Sequence, residues 1–131
     1  MARKKTPTLT EAELRVMHVV WELGQATVND VVAASQETRD LAYNTILTTM
    51  RILEKKGYLT HTKDGRAHVY RPLVDRKQAQ TKAVKHMLKS LFDNSPELLL
   101  VNLLKNESLS ADELDRLKAM IEHNEREQGK G

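Results

Sequence analysis

The sequence of 131 residues contains no cysteine, which excludes disulfide bonds, thiolate metal sites and a cysteine nucleophile. Aromatic residues make up only 4% of the chain, so a core must be built mainly from Leu, Val, Ile and Met. No stretch approaches the roughly 18 consecutive apolar residues of a membrane span. The basic start, MARKKTPTLTEAE, has no apolar segment of the kind found in secretory signals. We therefore expect a soluble, cytoplasmic protein with no membrane insertion.

Motifs for catalysis and for cofactor or metal binding are also lacking. The five glycines stand singly in the sequence and form no phosphate-binding loop. No serine lies in a nucleophile-elbow sequence. The five histidines show no convergent spacing, whereas a histidine metal site needs several ligands that meet. We predict no enzymatic activity, no cofactor and no metal site.

The composition is that of a folded and mildly basic protein. Hydrophobic residues make up 40% of the chain, which argues against wholesale disorder. The formal net charge of +3 permits binding to nucleic acid without establishing it. At this length the chain can form one modest domain or two small lobes.

Capping patterns predict two helices near the start of the chain. Thr10 and Glu13 have the spacing of a capping box, and the helix that they begin should run to about Leu23, before Gly24. Thr27 is placed to cap a second, short helix with the sequence VNDVVAAS. The inward residues of the first helix should be Leu14, Met17, Val20 and Trp21.

The segment AYNTILTTMRILEKKGYL, residues 42–59, predicts a third helix with two unlike faces. Ile46, Met50 and Leu53 recur at helical spacing and form an apolar stripe. Lysines in the last turn, followed by a glycine, are typical of a helix end. A row of polar side chains recurs on the opposite side: Asn44, Thr48, Arg51 and Lys55.

Two short alternating runs, YLTHT and HVYRPL, flank the turn KDGRA and predict a β-hairpin that ends at Pro72. Each of the three helices is too short to be stable alone, but together they can share a core with the hairpin attached. This order of three helices and a hairpin is that of a winged helix-turn-helix. We therefore predict a mainly α fold with a small β-wing.

The chain beyond the hairpin predicts three more helices and a dimer interface. The first spans residues 76–92, the second has the sequence PELLLVNLLKN, and the third begins at a capping box of Ser110 and Glu113. A helix that is apolar on nearly every side cannot be buried by a lobe of about 55 residues, so a second copy should cover it. The expected dimerisation residues are Val84, Met87, Leu88, Leu91, Leu98, Leu99, Val101, Leu103, Leu104, Leu117, Met120 and Ile121.

These elements predict four segments along the chain. Residues 1–8 should form a flexible N-terminus, and residues 9–74 a winged-helix DNA-binding domain. Residues 75–127 should form a helical dimerisation domain that follows the winged helix. Residues 128–131 should form a disordered tail, because chain ends without apolar anchors fray.

If the third helix packs its apolar stripe inward, its polar row projects outward and fits the major groove of B-DNA. Between Arg39 and Pro72 seven Lys or Arg residues stand against three acidic ones, a local net charge of +4. The residues expected to read bases are Tyr43, Asn44, Thr45, Leu47, Thr48 and Arg51. Those expected to contact phosphates, partly from the wing, are Lys55, Lys56, Lys63, Arg66, His68 and Arg71.

The stretches LTEAELRVMHVVWELGQATVNDVV, LAYNTILTTMRILEKKGYL and DGRAHVYRPLV resemble the BlaI/MecI family of penicillinase and methicillin-resistance repressors. A weaker resemblance continues through VNLLKNESLSADELDRL and so covers almost the whole chain. It implies a homodimeric repressor of double-stranded DNA operators with inverted repeats, often with TACA or TGTA half-sites. The recognition contacts would fall on Asn44, Thr45, Leu47 and Thr48, with Leu47 standing where some members have Arg. The copper-responsive branch has a cysteine-rich metal site, which the absence of cysteine excludes.

The same resemblance implies a way of inactivating the repressor. In the antibiotic-resistance members, a membrane sensor-protease of the BlaR/MecR type triggers cleavage of an Asn–Phe bond in the dimerisation lobe. The matching bond here is Asn102–Leu103, in which Leu replaces Phe. Asn102 also has a structural interpretation, as a buried polar residue that fixes the register of a dimer.

Several alternatives remain open at this point. The polar row of the third helix can be a solvated face, and so can the basic run from Arg76 to Lys89, which can also lie near DNA phosphates. The winged helix can serve protein–protein interaction without a specific DNA site. A repressor of this layout can also sense a small molecule through its C-terminal lobe.

Overall fold

The computed structural model describes residues 8–34 and 42–129, which contain six helices and two strands. The helices are α1 (Glu11–Leu23), α2 (Val28–Ala34), α3 (Tyr43–Lys55), α4 (Arg76–Leu91), α5 (Pro96–Asn106) and α6 (Ala111–Gly129). The strands are β1 (Leu59–Asp64) and β2 (Ala67–Pro72), which pair antiparallel. The predictions for residues 1–7, for the loop around Arg39 and for residues 130–131 lie outside the described residues. The predicted mainly helical fold with a small β-wing is confirmed.

The chain divides into two compact units, and the division falls after Met87, inside α4. The first unit holds α1–α3, the hairpin and most of α4, and the second holds the end of α4 with α5 and α6. The boundary near residue 75 between a DNA-binding and a dimerisation domain stays a prediction, because compactness does not test these roles.

Helix α1 begins at the predicted capping box. The Thr10 N–H donates to Glu13 Oε1 at 2.9 Å, and the Glu13 N–H donates to Thr10 Oγ1 at 3.2 Å. The helix ends before Gly24, whose φ of 85° lies in the left-handed region that L side chains rarely adopt. Local signals therefore define both ends of α1.

The buried stripe of α1 is turned relative to its predicted position. Val16, Met17 and Val20 are buried, whereas Leu14 is 37% exposed, so its predicted inward position is wrong. The physical reason is that Glu13 takes the core-facing position of the first turn, where it is buried. Leu14 lies one residue further round the helix, on its flank.

Glu13 is tolerated in the core because Lys56 neutralises it. Lys56 Nζ lies 2.7 Å from Glu13 Oε1, and little of either side chain is exposed. Burial by itself raises the pKa of Glu13, but hydrogen bonds from Lys56 and from the Thr10 backbone, with the positive charge of Lys56, outweigh it. The pKa of Glu13 is therefore held below its usual value.

This ion pair makes stability depend on pH, and we expect Glu13→Gln to reduce that dependence. Because the folded pKa lies below the unfolded one, near 4.3, the stabilisation is present above about pH 4.3 and is lost as the pH falls through the folded pKa. Urea unfolding at about pH 6 and pH 3.5 measures the loss. Glu11→Gln, at an exposed position of the same helix, should keep the wild-type loss. Equal losses in the wild type and Glu13→Gln would contradict this role.

Helix α2 begins at a reciprocal pair of the same kind, which confirms Thr27 as its cap. The Thr27 N–H donates to Asp30 Oδ2 at 2.9 Å, and the Asp30 N–H donates to Thr27 Oγ1 at 3.1 Å. Just before this pair, Ala26 exchanges two backbone hydrogen bonds with Tyr70 of β2, at 2.9 and 2.8 Å. The hairpin is thereby tied to the segment that joins α1 and α2.

Helix α3 packs its predicted apolar stripe into the core. Ile46, Met50 and Leu53 are at most 1% exposed, which confirms the interpretation of the periodicity. Ala42 precedes the helix, and its methyl side chain offers no hydrogen bond to the first turn. After α3 the chain turns at Gly57, whose φ is 87°.

The hairpin follows the predicted turn. Strands β1 and β2 pair from Leu59 with Pro72 to Asp64 with Ala67, which leaves Gly65 and Arg66 as a two-residue turn. Gly65 has a φ of 63°, as two-residue hairpin turns require at their first position. Tyr58, Leu59 and Tyr70 are buried and anchor the hairpin in the core.

The second unit consists of locally capped helices. The Ser95 hydroxyl accepts from the Leu98 N–H at 3.0 Å at the start of α5. The predicted box of Ser110 and Glu113 begins α6, with both hydrogen bonds at 3.1 Å. Helix α6 reaches Gly129, so residues 128 and 129, predicted to belong to a disordered tail, are helical.

None of the described residues from 88 to 129 is buried. The apolar side chains of α5 and α6 lie open in the single chain, with Leu103, Leu104, Met120 and Ile121 all exposed. Within residues 8–34 and 42–129, no helix combines the length and the apolar character needed to cross a membrane.

Candidate nucleic-acid interface

The face of α3 opposite its buried stripe is open to solvent. Leu47 differs from its neighbours, because it is partly buried and packs against the core. The exposed side chains of this face are Tyr43, Asn44, Thr45, Thr48, Arg51, Ile52 and Lys55. The helix thus presents mostly polar groups outward, with one tyrosine and one isoleucine among them, while its other side fixes it to the core.

A cleft of about 380 Å³ lies between α3, the start of α2 and the wing. Tyr43, Leu47 and Arg51 line it from α3, and Arg66 and His68 line it from the hairpin. The structure therefore brings together residues that the sequence assigned separately to base reading and to phosphate contact. With two guanidinium groups on its walls, the cleft favours an anionic partner.

Asn29 also lines this cleft, a position that its sequence context did not predict. It lies in the first turn of α2, where the pair of Thr27 and Asp30 fixes the helix start. In a helix-turn-helix the helix before the recognition helix crosses the DNA backbone, and that layout is the signal by which Asn29 of α2 could have been found.

A histidine holds the wing to the end of α3. His61 Nδ1 lies 2.7 Å from Glu54 Oε2, and the His61 ring stacks on His68 with centroids 4.5 Å apart. Because His68 lines the cleft, these contacts help to set the separation of α3 and the wing. The sequence placed both histidines on the hairpin but gave no sign of the contact with Glu54.

The wing residues expected to contact phosphates differ in exposure. Lys63 and Arg66 are exposed at the tip of the hairpin. Arg71 is also exposed, and its Nε–H donates to Gln25 Oε1 at 3.0 Å, which steadies its position. His68 is only partly exposed.

Lys56 does not join this surface. Its side chain is 16% exposed and its ammonium group is bound to Glu13 of the core. Lys55, the preceding residue, is exposed. We therefore leave Lys56 out of the proposed DNA contacts and assign it a structural role.

Comparisons with known proteins agree with this layout. Residues 9–123 match the model of the penicillinase repressor family. The chain is 32% identical over 119 residues to the penicillinase repressor of Bacillus licheniformis. This match covers 91% of this chain and 93% of that protein. It is 29% identical to the methicillin resistance regulatory protein MecI of Mammaliicoccus sciuri, and this match covers 89% of this chain and 95% of that protein.

A solved structure also resembles part of this chain. The solution structure of the DNA-binding domain of the repressor BlaI is 38% identical in sequence, with a TM-score of 0.50. The match covers 58% of this chain and 93% of that domain.

Proposed function

Because this chain belongs to the penicillinase repressor family, as its sequence led us to expect, we propose that it is a transcriptional repressor that binds double-stranded DNA. The observation that carries the proposal is the exposed polar face of α3, which adjoins the arginine-lined cleft shared with the wing. We further propose that it acts in the cytoplasm, as a regulator of antibiotic-resistance genes without catalytic activity.

The proposed base contacts follow from the chemistry of each side chain on α3. Asn44 can pair with adenine through its amide, and Arg51 can donate two hydrogen bonds to guanine. Thr45 and Thr48 can contact bases or the thymine methyl group. Tyr43 is exposed in the first turn of the same helix. Leu47 can offer only apolar contact, so a thymine methyl is its preferred neighbour. The exposure of these side chains supports the assignment, except at Leu47, which is partly buried.

The wing and the end of α3 are proposed to contact the DNA backbone through Lys55, Lys63, Arg66, His68 and Arg71. Such contacts carry no sequence information, but they release counterions and so set how steeply DNA affinity falls with salt concentration.

We expect Lys63→Ala to weaken binding equally for all DNA sequences and to reduce by about 1 the slope of log affinity against log salt concentration. Titration at several salt concentrations measures this, and Lys118→Ala, in the second unit, is the charge-matched control. A sequence-dependent loss would instead place Lys63 among the base-reading residues.

The helices that follow the hairpin, α4, α5 and α6, are proposed to join two copies of the chain. Apolar side chains without cover in the monomer favour association, since burying them releases about 25 cal/mol per Å². The proposed interface is drawn from the apolar residues of α4, α5 and α6: Val84, Met87, Leu88, Leu91, Leu98, Leu99, Val101, Leu103, Leu104, Leu117, Met120 and Ile121. A two-fold dimer requires a pseudo-palindromic operator with half-sites about one helical turn apart, or a multiple of it.

Selection of the purified protein against randomised duplex DNA tests the proposal. At about 150 mM salt, non-specific attraction to phosphates is already weakened. Enrichment of an inverted repeat is the expected result, and the half-site would show what Leu47 prefers. If a folded dimer enriches no sequence, α3 does not read bases, and the protein-interaction alternative takes its place.

We also propose that cleavage at Asn102–Leu103, triggered by a membrane sensor-protease of the BlaR/MecR type, inactivates the repressor. The bond lies within α5, where the Asn102 carbonyl oxygen accepts from Asn106 Nδ2 at 3.0 Å. A protease therefore needs α5 to open locally before it reaches this bond. Finding the chain intact in fully induced cells, with its promoter active, would contradict the proposal.

A further inference from the structure

A second concave site lies in the first unit, and its lining shares no residue with the DNA-facing cleft. It is a groove of about 260 Å³ between α1 and the first turns of α4, with Tyr58 at its side. Leu14 and Trp21 line it from α1, and Ala79 and Ala83 line it from α4. Its walls are therefore mainly apolar.

The groove has a rigid wall. The Trp21 indole N–H donates to the Val74 carbonyl oxygen at 2.8 Å, which fixes the ring plane. The His18 ring meets Trp21 edge-on, with centroids 5.6 Å apart. Leu14, on the flank of α1, is 37% exposed and lines the groove with them. A ligand would meet an indole ring that is already held in place, which lowers the entropic cost of binding.

The charged side chain that the structure places in the groove lining is positive. The Arg76 guanidinium lies 5.4 Å from the centroid of the Trp21 ring and lines the groove. Lys82 Nζ lies 5.1 Å from the centroid of Tyr58. Among the described residues that line the groove there is no Asp or Glu. Residues 1–7 carry Arg3, Lys4 and Lys5, which have the same sign of charge as Arg76.

We propose that this groove binds a small aromatic carboxylate. The ring packs against Trp21 and Leu14, and the carboxylate accepts hydrogen bonds from the Arg76 guanidinium, which is suited to planar oxyanions. Drug-sized ligands usually occupy about 300–1,000 Å³, so a ligand of one or two rings fits a groove of this size. The binding requires no DNA, and its failure would leave the repressor proposal intact.

Fluorescence of Trp21 tests the proposal directly, because it is the single tryptophan of the chain and forms the groove wall. The probe is benzoate, added to the full-length protein without DNA, and benzamide is its uncharged counterpart. We expect a saturable change in Trp21 emission with a Kd on the order of 1 mM, as for other ligands of this few atoms. Benzamide should bind about tenfold more weakly or worse.

Three variants test whether the carboxylate of benzoate binds to Arg76. Arg76→Met should weaken benzoate binding about tenfold or more, whereas Arg76→Lys should retain part of it. Lys77→Met removes the same charge from the next position of α4, outside the groove lining, and should leave binding unchanged. Equal losses in Arg76→Met and Lys77→Met would overturn the proposal, because they would show only general attraction of an anion.

Other results would overturn it as well. No saturable change with benzoate up to about 50-fold above the expected Kd would exclude the site. Equal binding of benzamide would exclude a carboxylate as the recognised group. Binding by a chain that begins at Thr8, but not by the full chain, would make the N-terminal segment the occupant of the groove.

Discussion

A protein carrying Leu103→Asp and Leu104→Asp should be monomeric and should bind an inverted-repeat operator about 100-fold to 10,000-fold more weakly than the wild type. Both leucines are exposed on α5 in the single chain, where two carboxylates can stay hydrated. In an apolar dimer interface the same carboxylates would be buried without partners, which opposes association strongly. Each winged helix would then bind its half-site alone, without the gain that linkage of two lobes provides.

Sedimentation and operator titration of the same preparations measure the two effects. Lys105→Asp adds a carboxylate at the next position of α5 and should leave the protein dimeric, because Lys105 is polar and outside the proposed interface. The emission of Trp21 reports whether the first unit stays folded in every variant. A dimer of wild-type affinity in the double variant would show that the two copies meet elsewhere.

Met50→Ala and Arg51→Ala should have opposite consequences although the residues are neighbours on α3. Met50 is fully buried, so its truncation leaves a cavity and should lower the free energy of unfolding by about 2–5 kcal/mol. For a lobe of this size, that is a drop of roughly 4–8 °C in melting temperature for each kcal/mol. Arg51 is exposed, and its removal should change stability by no more than about 0.5 kcal/mol.

On DNA binding, unlike on stability, Arg51→Ala should have the larger effect and Met50→Ala the smaller. Arg51→Ala should weaken operator binding by about 1–3 kcal/mol if it donates two hydrogen bonds to a base. Met50→Ala should bind with nearly wild-type affinity at temperatures well below its melting point, because its outward face is unchanged. Thermal unfolding and operator titration separate the two. If Arg51→Ala bound all sequences as the wild type does, base reading by this residue would be refuted.

Features that depend on nearby residues could be predicted from the sequence. The helix starts at Thr10 and at Ser110 follow from side chains three positions apart, and the buried stripe of α3 follows from the helical period. The hairpin was also predictable from the Asp-Gly pair, although Asp64 pairs with Ala67 at the end of β1 and the two turn residues are Gly65 and Arg66.

Features that join distant parts of the chain could not be predicted in this way. The ion pair of Glu13 and Lys56 joins residues 43 positions apart, and it explains why α1 turns Glu13, and not Leu14, toward the core. The hydrogen bond from Trp21 to Val74 joins residues 53 positions apart. Periodicity predicts which side of a helix is apolar, but it does not predict which residue from a distant part of the chain contacts that side.

The candidate interface also combines features that the sequence predicts with features that only the fold reveals. The exposed row on α3 is visible in the sequence, since one helix carries all of it. The cleft needs α2, α3 and the wing together, so Asn29 and the contact of Glu54 with His61 emerge only from the fold. The dimer interface remains a prediction, because it depends on a second copy of the chain.

Local capping is unevenly distributed among the helices, and this bears on the order of folding events. Helices α1, α2, α4 and α6 begin at reciprocal side-chain pairs, such as Asp75 with Gln78 at the start of α4. Such pairs can form early, because closing a short loop costs little entropy. Helix α3 starts at Ala42 and is instead held by residues distant in sequence. The proposed recognition helix is therefore ordered only while the core is intact, and the loss of tertiary packing and the loss of operator reading become a single cooperative event.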